Sequence, residues 1–261
     1  MASLWSTARR TICLRSRGNG GLRTTSRGGS GSSAPAGQQS RVLMTRETFE
    51  GELHRLKDDV VQMGVRAGQA ISRAVEALRT RDVALAEQVV AADDAIDAMH
   101  LELERRCMRL LATQQPMAGD LRTIASVFAI TIDLERMADH AEGISRATKR
   151  LGLEPLVKPL VDIPAMEARI QEMLRETLEA FRAQDARLAV QAAAKDDLVD
   201  ELRNRVLHDL LDVMVKDPQT ISRALELLIV ARHLERAADH ITNICERVVY
   251  MATGELRELN V

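Results

Sequence analysis

The feature that most constrains the fold of this 261-residue sequence is an internal repeat. AADDAID at 91–97 corresponds to AAKDDLVD at 193–200, and LERMADH at 134–140 corresponds to LERAADH at 234–240. The offset between the halves shortens slightly along the chain, as two homologous units with small deletions would give. The chain must therefore build the same supersecondary unit twice, each with a surface to bury against a neighbour.

Two long spans without proline, 36–115 and 165–217, favour long helices because proline breaks a helix interior. The composition agrees, since 46% of the residues are hydrophobic but only 2% are aromatic. A core of Leu, Ala, Val, Ile and Met suits helices better than a β-sandwich or barrel. We therefore predict an all-α protein.

The apolar periodicity and the breaks predict six helices, arranged as two tandem antiparallel three-helix bundles. The organisation that we expect is a disordered tail at 1–43, a first bundle at 44–150, a linker at 151–164 and a second bundle at 165–254. The predicted helices span 45–79, 82–113, 121–150, 165–184, 186–214 and 221–251.

The first 43 residues contain seven arginines, no acidic residue and half of the glycines. Such a segment cannot bury enough apolar surface to fold, so we expect disorder. Two explanations remain open. The segment imitates an organelle transit peptide, or it reflects an upstream start codon, with the working protein beginning at Met44. We favour the second explanation.

The charge balance excludes several classes of function. Beyond the tail the chain has 29 basic and 38 acidic residues, a poor composition for nucleic-acid binding. Its three cysteines are far apart and form no CxxC pair, which fits free thiols in a reducing compartment. No run of eighteen apolar residues occurs, so we expect no membrane span.

The candidate site consists of carboxylates four residues apart, a spacing that places both side chains on one helix face. Neighbouring antiparallel helices could bring two such rows together beside the core, where they would repel unless protonated or bridged by a cation. Oxygen ligands favour ferric iron, Mg²⁺, Mn²⁺ or Ca²⁺ over zinc. The pairs are Asp93 with Asp97 and Glu135 with Asp139 in the first unit, and Asp196 with Asp200 and Glu235 with Asp239 in the second.

Other interpretations of these rows remain open. They could be solvated faces that pair with arginines, or the centre of a carboxylate-bridged metalloenzyme, or part of a metal-free structural protein. The chain has neither an ExxH motif nor a Gly-rich phosphate loop. His140 and His240 follow the motif aspartates and should point away from the acidic face, and Cys107 and Cys245 should be buried as small apolar residues. The arginines considered are Arg105, Arg106, Arg203 and Arg205.

The motifs together resemble the PhoU family of bacterial phosphate-transport regulators. The resemblance is carried by PMAGDLRTIA, DLERMADHAEGI, DDAID and ARHLERAADHITNICERVVYMATGEL, and it extends from Met44 to about Leu256. It implies six helices in two bundles and multinuclear metal clusters, with iron in some relatives, on the eight carboxylates given above. The family often places an asparagine four residues after the motif aspartate. The second repeat has this asparagine at Asn243, which is a further candidate ligand. The first repeat has Gly143 at the corresponding position, and glycine offers no side-chain ligand, so we expect a weaker first cluster.

The resemblance also implies a function. PhoU-like proteins are cytoplasmic, often homodimeric and not enzymes. They associate with the ATPase of the phosphate ABC transporter and with the sensor histidine kinase of the phosphate two-component system, reaching the membrane only through these partners. When phosphate is ample they restrain its uptake and keep the phosphate-starvation genes off.

Overall fold

The computed structural model describes residues 46–259, which form helices joined by short connections and, within that range, no strand. The predicted all-α architecture is therefore confirmed. The predicted tail at 1–43 lies outside the described residues. The helices are α1 (Arg46–Thr80), α2 (Val83–Gln114), α3 (Ala118–Leu151), α4 (Asp162–Ala183), α5 (Ala186–Ala193), α6 (Asp196–Lys216) and α7 (Ile221–Thr253), with a 3₁₀ turn (Pro218–Thr220) before α7.

The fifth predicted helix is interrupted, so the prediction of one continuous helix over 186–214 is wrong. Ala194 and Lys195 separate α5 from α6. The backbone tightens there, because the Lys195 amide donates to the Ala192 carbonyl (3.2 Å) and the Leu198 amide to the Lys195 carbonyl (3.1 Å). The Lys195 ammonium lies 2.6 Å from Glu172 and 2.5 Å from Glu176 of α4, which fixes the break against its neighbour.

The turn into the middle helix is built in the same way in both halves. Asp82 accepts a hydrogen bond from the Leu85 amide (2.9 Å), and Asp185 accepts one from the Leu188 amide (3.1 Å). An aspartate that accepts from these first amides is a strong helix N-cap. The residue before each cap, Arg81 or Gln184, has a positive φ angle. The duplication therefore extends to the geometry of the turns.

The two repeats share one compact unit. Their last helices, α3 and α7, pack antiparallel: Ser126 near the start of α3 donates to the carbonyl of Arg247 late in α7 (3.2 Å). At the other end, Arg150 donates to Glu226 through two bonds of 2.8 and 2.7 Å. The first helices, α1 and α4, are also antiparallel neighbours. None of the helices within residues 46–259 is long and apolar enough to cross a bilayer.

Candidate metal centre

The acidic rows of the first repeat flank the core, as their spacing predicts. Leu134 and Ala138 are buried, while Glu135 and Asp139, one residue further along α3, have side chains that are 21% and 36% exposed. One residue of an α-helix is a rotation of about 100°. The two carboxylates therefore lie at the edge of the core rather than in it.

The row on α2 lies close to the row on α3. Burial, together with the neighbouring carboxylates of Asp97, Glu142, Asp139 and Glu135, raises the pKa of Asp93 to about 6. Burial also raises the pKa of Glu135, and the nearby carboxylate of Asp139 raises it further. Shifts of this kind mark carboxylates that lack enough positive charge around them. The structure thus brings together all four carboxylates predicted for this repeat.

Sequence reasoning missed two residues at this cluster. Glu142 lies one turn beyond Asp139 and pairs with Arg146 at 2.6 Å. His100 lies three residues after Asp97 on α2, and its charge would lower the pKa of Glu135. Within the described residues, the Nδ1 atom of His100 and the Oδ1 atom of Asp97 are buried without a hydrogen-bond partner. A search for DxxH spacing, instead of ExxH alone, would have found His100.

Most of the arginines considered as neutralising partners bind elsewhere, although the charge of Arg203 lowers the pKa of Asp200 in the second repeat. Arg105 pairs with Glu102, Arg106 with Asp59 and Arg205 with Asp162, and Arg203 donates to Asn204. A different arginine, Arg136, contacts the first cluster, at 2.9 Å from Asp139 and 3.4 Å from Glu135. The side chain of Arg136 is 56% exposed, so this contact is screened by water.

The second repeat gathers fewer of its predicted residues. Burial raises the pKa of Asp200, and the nearby carboxylate of Asp239 raises it further. Asp196 is instead buried, on the side of α6 nearest Cys245. Glu235 is partly buried beside Asp239 on α7. The break in the helix lies directly before Asp196, whereas α2 is continuous through Asp93 in the first repeat.

Asn243 is engaged with the other repeat: its amide nitrogen donates to Asp133 at 3.2 Å. The same carboxylate lies 3.0 Å from the Nδ1 atom of His240. His140 correspondingly contacts His233, with 3.2 Å between their Nδ1 atoms. Because residue 140 corresponds to 240 and 133 to 233, these contacts are equivalent by the repeat. The two motif histidines therefore join α3 to α7, away from the acidic rows, as predicted.

Gly143 makes room for this interface. A Cβ atom at that position would lie 2.4 Å from Cε1 and 2.5 Å from Nε2 of His233. The absence of the usual asparagine from the first repeat thus has a packing cause. Burial lowers the pKa of His140 to about 3, with His233 and His240 contributing, so the His140 ring packs in the neutral form.

The two cysteines in the described range are buried and free, as predicted. Burial raises the pKa of both the Cys107 and the Cys245 thiol to about 12. A thiol with so high a pKa remains protonated at neutral pH and is a poor metal ligand. A metal site at the first cluster would therefore depend on carboxylate oxygens and on His100, and not on a thiolate.

The side chains in the described range do not form a ready-made metal site: no three His, Cys, Asp or Glu residues there converge closely enough to hold an ion. The chemistry of the first cluster nevertheless fits a hard cation. It gathers carboxylate oxygens and leaves two buried polar atoms, on Asp97 and His100, without partners. The side chains would have to rearrange to bring these ligands onto one ion.

Replacing Asp93 with asparagine should change the pH dependence of stability. The pKa of Asp93 is higher in the folded than in the unfolded chain, so the unfolded chain ionises first as the pH rises from about 4 to about 6. The wild type loses stability across that window, and the variant does not. We expect the metal-free variant to be more stable than the wild type by about 1 kcal/mol at pH 7.5, after allowing for solvent screening, and to show little gain at pH 4.

Urea unfolding with a chelator present measures this difference. Asp94→Asn is the matched control, because Asp94 is the exposed neighbour of Asp93. An equal gain for Asp93→Asn at both pH values would contradict the interpretation.

Known proteins show the same two-repeat organisation as this chain. A family model described as "PhoU domain" matches residues 60–148 and again 163–248. A protein from Aquifex aeolicus, named phosphate-specific transport system accessory protein PhoU homolog, is 42% identical over 205 residues, covering 78% of this chain and 93% of that protein. The protein of the same name from Clostridium acetobutylicum is 37% identical over 218 residues, covering 83% of this chain and all of that protein.

Solved structures agree with the fold. The crystal structure of PhoU from Pseudomonas aeruginosa matches with a TM-score of 0.76 at 36% identity, covering 79% of this chain and 100% of that one. The phosphate transport system regulatory protein PhoU from Streptococcus pneumoniae matches with a TM-score of 0.75 at 35% identity, covering 80% and 99%. With both repeats matched and the relatives covered almost completely, this chain belongs to the PhoU family.

Proposed function

We propose that this protein is an accessory regulator of phosphate transport. In this role it restrains phosphate uptake and keeps phosphate-starvation genes off when phosphate is plentiful. The observation that carries the proposal is the match of both repeats to one family, whose relatives are named as accessory proteins of a phosphate-specific transport system.

The mode of action that we propose is contact rather than catalysis. The protein would be a cytoplasmic homodimer that links the transporter ATPase to the sensor histidine kinase. A row of apolar side chains on α7 supports this mode, because Ile221, Leu225 and Ile229 follow one another at four-residue spacing and are 41%, 48% and 39% exposed. A contiguous exposed apolar row is typical of a protein-binding surface.

The metal proposal concerns the two acidic clusters. Asp93, Asp97, Glu135 and Asp139 would hold cations in the first repeat, and Asp200, Glu235 and Asp239 in the second, with Asp196 and Asn243 as further ligands. Bound iron, Mn²⁺, Mg²⁺ or Ca²⁺ would neutralise the clustered charge and hold α2 to α3, and α6 to α7. The sequence predicted a weaker first cluster because Gly143 replaces the asparagine. We propose instead that the first cluster is the stronger, since all four of its carboxylates interact.

A co-purification experiment tests the contact mode. Tagged protein should recover the transporter ATPase and the sensor kinase from the membranes of phosphate-replete bacteria. Leu225→Asp should reduce recovery of at least one partner at least about tenfold, because a charge in the centre of an apolar contact must be desolvated. Leu153→Asp, at a 79% exposed position outside the row, should have no effect. If neither partner is recovered at any phosphate level, the adaptor mode is wrong.

A further inference from the structure

A groove of about 710 Å³ lies between α1 and α4, on a surface that the acidic clusters do not use. Its α1 side extends from Val61 to Arg73 and its α4 side from Gln171 to Arg182. At 1.5 Å per residue each side is about 17–18 Å long. The opening is therefore elongated along two helices, with the dimensions of about three turns of a further helix.

The floor of the groove is apolar and already formed. Val61, Val65, Leu174 and Leu178 line it, and Val65 is 46% exposed. The helices come close together at Gly68, where an added Cβ would lie 2.7 Å from Leu174.

Two uncharged polar side chains of the groove, Gln171 and Ser72, are already paired. Gln171 donates to the carbonyl of Gly68 at 2.9 Å, and Ser72 donates to Glu167. An occupant of the groove would therefore gain apolar contact without breaking these hydrogen bonds.

The rim is basic on a protein body that is otherwise acidic. Arg73, Arg175 and Arg182 line the groove against a single acidic residue, Glu179. Arg73 donates to Gln88 at 2.9 Å, whereas Arg175 and Arg182 make no ion pair or hydrogen bond with any residue of 46–259. Both are exposed, so their charges are available to an acidic partner.

We infer that this groove binds an amphipathic helix of a partner protein, with apolar residues on its inner face and acidic residues along its edges. The apolar floor would take residues at i, i+3, i+4 and i+7, and the free guanidinium groups would pair with the flanking carboxylates. The elongated shape favours a helix over a compact small molecule. The inference is independent of the metal clusters and of the phosphate-regulation role proposed above.

The test uses purified protein and a fluorescent probe: a stapled peptide helix of about four turns with leucines on one face and glutamates beside them. The staple is needed because a free peptide of this length is marginally helical. The peptide should bind in a fluorescence anisotropy titration, and a peptide with lysine in place of glutamate should bind at least about tenfold more weakly.

Arg175→Glu with Arg182→Glu should weaken binding of the glutamate peptide at least about tenfold. Arg187→Glu with Arg257→Glu is the matched control, because both arginines are exposed and lie outside the groove. It should leave binding within about twofold. Equal binding of the two peptides, or unchanged binding by the groove variant, would overturn the inference.

Two further results would identify another occupant and so overturn it as well. One is binding of lauric acid at the groove without binding of the peptide, which would assign the groove to an anionic lipid. The other is a dimer in sedimentation that dissociates in the Arg175→Glu and Arg182→Glu variant, which would assign it to a second copy of the chain.

Discussion

Gly143→Asn is expected to destabilise the protein by about 2–3 kcal/mol, the upper part of the range for overpacking a tightly packed site. Any Cβ at this position would approach the His233 ring to 2.4 Å. His233 cannot move aside without losing its contact with His140, and both rings lie between α3 and α7. The small gain in helix propensity from glycine to asparagine does not offset this cost. Chemical denaturation gives the free energy of unfolding.

Gly119→Asn is the matched control, because nothing lies within 4 Å of a Cβ atom added there. It should change stability by no more than about 0.5 kcal/mol. His233→Ala should rescue Gly143→Asn, so that the two substitutions couple by about 1–3 kcal/mol in a double-mutant cycle. A full loss that persists in the His233→Ala background would show that the ring is not what limits this position.

Metal should stabilise the protein, and Asp97→Ala with Glu135→Ala should remove most of that stabilisation. A cation at a hundred times its dissociation constant adds about 2.7 kcal/mol to the free energy of unfolding. The double variant removes one carboxylate from each row of the first repeat but leaves the apolar core in place, and alanine favours helix. Mn²⁺ titration by calorimetry, with thermal unfolding in parallel, measures the effect.

The equivalent change in the second repeat, Glu235→Ala with Asp239→Ala, provides the comparison. It should leave helicity intact and remove a smaller share of the metal-dependent stability, because fewer carboxylates meet there. Loss of the circular dichroism signal in either variant would mean that these residues are structural. Mn²⁺ binding that is unchanged in both variants would place the metal elsewhere.

The architecture followed from features that depend on local sequence. The doubled LERxxDH segment, the proline-free spans and the scarcity of aromatic residues were enough to predict an all-α chain with two similar halves. The interruption at Ala194 and Lys195 was not predictable from them. At the interruption Lys195 contacts Glu172 and Glu176 on another helix, and such a tertiary contact leaves no periodic signal.

The candidate site could be predicted only where it depends on helix geometry along one segment. The rotation of about 100° per helical residue placed the carboxylates beside the core, and the same rotation directed His140 and His240 away from the acidic rows. The partners of those histidines and the packing role of Gly143 arise where α3 crosses α7, so they require the fold. His100 was missed because its spacing from Asp97 differs from the motif that was sought.

The central claim, regulation of the phosphate response, is tested most directly by transcription from a phosphate-starvation promoter. Residues 44–261 would be produced in a bacterium that lacks its own family member, together with a reporter for that promoter. The account predicts that the reporter is off in high phosphate when the chain is present and on when it is absent. A reporter that stays on in high phosphate, while the folded chain accumulates in the cell, would contradict the account.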